Sequence, residues 1–178
     1  MREETALDPR ATVVFRFVAW GSLLVITAVF VYGIVEALLN PGLAVGAVLV
    51  DVYWPFPPYF AQPVTYFSVA CVALFYSGLR LLEDRIARWP RSVLSILQLF
   101  GFVVAFSSAY EVLYNFIFWG GTYVVAALTL HTTIPDLLSS NYPVPWSFVF
   151  ATRAFSALFV ISGYSVYFLR RASKGSFI

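Results

Sequence analysis

Polar residues are scarce along this chain and gather in clusters. Between the clusters lie four long apolar stretches, at about Ala11 to Leu39, Val64 to Leu82, Ser92 to Trp119 and Trp146 to Leu169. Each can cross a hydrocarbon layer of about 30 Å, which takes about 20 apolar residues in a helix. Inside lipid, only helices and closed barrels satisfy the backbone polar groups. These runs are continuous and do not alternate as barrel strands do. The pattern therefore predicts an all-α integral membrane protein, with four transmembrane helices in a bundle forming a single domain over residues 1–178.

Two further apolar runs, Gly42 to Val50 and Thr122 to Leu130, are too short to span. The first follows Asn40-Pro41-Gly42 and the second follows Gly120-Gly121, both breaker clusters. After them come Asp51 with Trp54 to Phe60, and His131 and Asp136 with Tyr142 to Trp146. The pattern predicts two long aromatic outer loops with short interfacial segments, capped by rings at headgroup level. The order helix, breaker, apolar run, acid, Pro-aromatic cluster and helix occurs twice, so a parallel 2+2 repeat is one reading and chance similarity of apolar sequence is the other. A fifth crossing through Thr122 to Leu130 is rejected, because it would carry Arg170 to Lys174 to the far side.

The basic residues fix the orientation. Arg2, Arg10 and Arg16 are at the N-terminal side, Arg80, Arg85, Arg88 and Arg91 surround the second connection, and Arg170, Arg171 and Lys174 follow the fourth span. The first and third connections contain no Lys or Arg. By the positive-inside rule both termini and the 2–3 connection are cytoplasmic, which makes the chain a multi-pass protein of the cell membrane. Glu3, Glu4 and Asp8 before the first run, and the length of that run, argue for a retained span instead of a cleaved signal.

Composition supports this reading. Of 178 residues, 61% are hydrophobic and 11% charged, against about 45–50% and about 25% in soluble domains. So few charges cannot coat a soluble globule, and the composition excludes disorder and nucleic-acid binding. Rare residues narrow the chemistry further. One cysteine, Cys71, gives no dithiol, and one histidine, His131, gives no bis-His haem site and too few ligands for zinc. No cofactor and no metal are expected. Cys71 reads as a small packed residue, and His131 as an exposed loop residue.

Three charges lie within the spans. Glu36 is about 30 Å above Arg16, Glu111 about 30 Å above Arg91, and Arg153 about 25 Å above Arg170. They share a level near the outer interface and have complementary signs, so Arg153 is expected to pair with Glu111, with Glu36, or with both. Gln98, Gly101, Ala105, Ser108, Glu111 and Asn115 form one stripe on the third span, as residues at a helix contact do. Tyr110, Tyr114 and Asn115 are candidates to line a cavity there. Interhelical glue, or snorkelling to headgroups, explains the same residues without a site.

The leading functional expectation is a non-catalytic structural or accessory subunit of a membrane complex. Its partners would be the lipid bilayer and either other membrane subunits or further copies of itself. The alternative is a small transporter or a ligand- or lipid-binding protein with an outward polar cavity at Glu36, Glu111 and Arg153. A membrane enzyme using a carboxylate base is the weakest reading, because no activated nucleophile accompanies it.

Overall fold

The computed structural model describes residues 9–50, 62–134 and 146–174, and these are helical with no strand. The elements are α1 (Pro9–Leu39), α2 (Val45–Val50), α3 (Pro63–Leu81), α4 (Glu83–Ile86), α5 (Arg91–Thr129) and α6 (Trp146–Lys174). The four long helices are apolar and long enough to cross a membrane. Their ends follow local chemistry. Proline at the first helical position opens α1 and α3, where its missing N–H costs nothing. Asn40-Pro41-Gly42 closes α1, with Gly42 at φ 109°.

The sequence places a break at Gly120-Gly121, and the structure has none. α5 runs unbroken for 39 residues, so Thr122 to Leu130 is the last part of the third long helix and not a separate interfacial segment. Each glycine costs a helix about 1 kcal/mol. That penalty weakens the helix without breaking it, and there is no proline in this stretch to stop it. The stop comes ten residues later. His131 adopts φ 50° and Thr132 N–H donates to the Ala127 carbonyl at 3.1 Å, the geometry of a left-handed helix cap.

The long helices pack in a row, α1 on α3, α3 on α6 and α6 on α5. The fourth side of a closed bundle, α1 against α5, is not made among the described residues. Neighbours in sequence are not the only neighbours in space, and α6 lies between α3 and α5. α2 folds back onto α1, α3 and α6. It fits because two positions lack a side chain. A Cβ on Gly33 would come within 3.0 Å of Leu49, and one on Gly46 would overlap the Trp146 indole. Val29, Leu49, Val50 and Val64 form the cluster beneath α2, and Ile86, Leu94, Phe168, Leu169 and Ala172 form a second cluster at the opposite end of the helices.

The distribution of polarity is that of a membrane-embedded protein. Large apolar side chains point outward, with Phe17, Leu24 and Ile117 well exposed, while Ser22, Ser77, Ser108, Asn115 and Ser162 are buried. Along α5 the buried positions Leu94, Gly101, Ser108 and Asn115 recur every seven residues. A seven-residue repeat keeps one seam facing a slowly supercoiling partner, and small residues in that seam let α6 approach closely. A Cβ on Gly101 would stand 3.1 Å from Val166.

Candidate functional site

Arg153 lies seven residues into α6 and is exposed. Its Nη1 donates to Thr65 Oγ1 on α3 at 2.9 Å. It forms no ion pair with Glu111 or Glu36. The expected charge cluster is thus not assembled, and the row explains why. Glu36 belongs to α1 at one edge and Glu111 to α5 at the other. Glu36 is satisfied within its own helix, where Asn40 Nδ2 donates to its Oε2 at 3.2 Å and to its carbonyl at 3.0 Å.

Glu111 is level with Arg153, as its depth predicts. Gly101 faces Ser162 to Val166, and Phe118 stacks on Phe148 with ring centroids 5.2 Å apart. This antiparallel register puts Glu111 opposite Arg153. The two side chains leave their helices in different directions, since Arg153 turns toward α3. Glu111 is half-buried and has no partner among the described residues.

Asn115 is buried on the seam, and its Nδ2 has no hydrogen-bond partner. One turn on, Trp119 Nε1 is also buried and unpartnered. Tyr110 does not join them. It is largely exposed and begins a ladder of rings with Tyr114, Phe118 and Phe148 at spacings of 6.3, 6.0 and 5.2 Å. Cys71 is half-buried and unpaired, and His131 is exposed at the end of α5. No group of three His, Cys, Asp or Glu side chains converges among the described residues.

Sequence reasoning missed a polar cluster at the other end of the helices. Arg80 Nη1 donates to Glu83 at 3.1 Å, and its guanidinium lies 5.8 Å from the Tyr76 ring. Tyr76 in turn stacks with Phe15 and Tyr164 at 5.9 and 4.7 Å. Arg80 was expected in a solvated turn, but its Nε is buried. The available signal was Tyr76 and Arg80 at i and i+4, which share one helix face. An Arg held over an aromatic ring with a carboxylate beside it ties α3 to α4, while its buried Nε has no hydrogen-bond partner. The loop aromatics Trp54 to Phe60 and Tyr142 to Pro145 lie outside the described residues, as does any repeat based on them.

No protein-family model, curated relative or solved structure matches the chain.

Proposed function

We propose that the protein is a non-catalytic structural or accessory subunit of a membrane complex, with its termini and the α3–α5 connection on the cytoplasmic side. The observation that carries this reading is the length of α5. Thirty-nine residues make a helix of about 58 Å, whereas a bilayer with its headgroup regions measures about 40–45 Å. Only a tilt near 40°, the edge of the observed range, would draw the whole helix inside. With Arg91 at the cytoplasmic surface, the surplus falls on residues 120–129. Val124, Val125 and Leu128 there are 47%, 61% and 71% exposed. Apolar side chains beyond the reach of lipid tails call for protein cover. The open row adds two flanks, on α1 and α5, with no helix against them among the described residues.

Purification in mild detergent with mass spectrometry of bound proteins tests the proposal. The expected result is a stoichiometric membrane partner, or a homo-oligomer, that is lost in Leu128→Glu while the variant still inserts. A monodisperse single chain, indifferent to Leu128→Glu, would refute it. Labelling of cysteines placed after Val50 and after Ser139 from outside intact cells tests the orientation, and labelling from the cytoplasm alone would reverse it.

A further inference from the structure

An open groove with a volume of about 520 Å³ runs between α1 and α3. Small residues form its floor, Gly21 and Ser22 from α1 and Ala70 and Ala73 from α3, and Thr65 closes one end. From Thr65 to Ala73 it descends about 12 Å along the helix axis, the direction in which an acyl chain lies in a bilayer. Its lining surface is almost wholly apolar, and at the Thr65 end the hydroxyl accepts a hydrogen bond from the Arg153 guanidinium.

This guanidinium is the informative group. It carries five N–H donors, and the Thr65 hydroxyl takes a bond from one nitrogen. Arg153 and Thr65 lie about 25 and about 22 Å along their helices from Arg170 and Arg80, inside a hydrocarbon core of about 30 Å and below its outer edge. A cation at that depth is costly without an anion. Among the described residues no carboxylate meets it: Glu36 is tied to Asn40 and Glu111 sits across α6. An apolar groove ending in an unneutralised guanidinium has the shape and charge of an amphiphile's complement. A phosphodiester accepts the fork of a guanidinium directly. A choline ammonium would find no carboxylate nearby.

We propose that an anionic phospholipid binds here, with its phosphate on Arg153 and Thr65 and one acyl chain in the α1–α3 groove. The proposal is independent of the accessory-subunit reading, since it concerns the opposite edge of the row from α5.

Native mass spectrometry of the full chain in mild detergent tests it, with phosphatidylglycerol and phosphatidylcholine of identical chains as probes. The wild type should retain phosphatidylglycerol about tenfold better, the size of one charge-assisted contact. Arg153→Gln should bring the two lipids to parity, and Arg153→Lys, which keeps the charge, should preserve a preference. Gly21→Leu projects into open space, since nothing lies within 4 Å of its Cβ. It should weaken both lipids equally and leave the preference intact. Millimolar inorganic phosphate should not displace the lipid. An unchanged preference in Arg153→Gln would overturn the site, as would undiminished binding in Gly21→Leu or displacement by phosphate. A disulfide-linked dimer through Gly21→Cys in a Cys71→Ala background would give the groove to a second copy and overturn it too.

Discussion

Gly46→Ala is expected to loosen α2, and the effect can be sized from the contact it disturbs. The new methyl would overlap the Trp146 ring at one carbon and lie 2.9 Å from two more, where ordinary contacts are 3.4–4 Å. Overpacking of this kind costs about 1–3 kcal/mol. Replacing glycine by alanine returns up to about 1 kcal/mol of helix propensity. The balance is about 1–2 kcal/mol against the docked helix. α2 has six residues, too few to hold a helix without tertiary contacts. What holds it is the burial of Val48, Leu49 and Val50, worth at most about 1.5–3 kcal/mol each. The loss is thus a sizeable part of the docking energy and should raise the undocked population about 5–30-fold. Maleimide labelling of Val48→Cys in a Cys71→Ala background reports it, because Val48 is 6% exposed when docked. Labelling should accelerate by that factor in Gly46→Ala and return to baseline when Trp146→Leu is added. Gly78→Ala, whose Cβ meets nothing within 4 Å, should leave the rate unchanged. An unaltered rate in Gly46→Ala, or a rise that persists with Trp146→Leu, would refute this account of the wedge.

Other outcomes follow from the same geometry. In double-mutant cycles read by thermal stability in detergent, Arg153→Gln should be additive with Glu111→Gln within about 0.5 kcal/mol. With Thr65→Val it should couple by about 0.6 kcal/mol or more, and coupling to Glu111 instead would restore the ion pair. Asn115→Leu should stabilise the isolated protein by about 1–2 kcal/mol, since it removes a buried donor without a partner; a loss of stability would mean the amide is satisfied. His131→Gly should slow hydrogen exchange over the last turn of α5, because glycine adopts the left-handed cap without strain, and faster exchange would count against that cap.

The parts of this fold that were legible in the sequence are those governed by neighbours along the chain. Pro9, Pro63 and the Asn40-Pro41-Gly42 cluster mark helix ends within a few residues, because their backbone constraints are local. The seam of Gly101, Ser108 and Asn115 was also visible, since a helix contact imposes its period on small residues. Depth could be read as well: a fixed rise per residue puts Glu111 and Arg153 at one level, and the packing register agrees. Lateral order could not be read this way. Whether α5 lies beside α1 or beyond α6 depends on the fit of whole helix faces, so the sequence did not show that Arg153 bonds Thr65 while Glu36 and Glu111 lie on the two outer helices. Gly120-Gly121 misled for another reason. Two glycines weaken a helix by about 1 kcal/mol each without forcing a stop, and no proline follows them in α5. Arg80 was overlooked because charge alone assigned it to solvent, whereas its neighbours Tyr76 and Tyr164 come from two helices.

The row also sets an order of events during synthesis. α1 and α3 can pair as soon as both have emerged. Among the described residues α5 packs chiefly on α6 and makes no comparable contact with that pair. The ribosome must add roughly 45 residues between Thr129 and Lys174, several seconds of work at about 5–20 residues per second. For that interval Ser108 and Asn115 face acyl chains. The third span is thus an orphan in the bilayer until the fourth arrives, and it is the point at which an insertion chaperone, or a quality-control protease recognising polar groups in lipid, would meet the nascent chain.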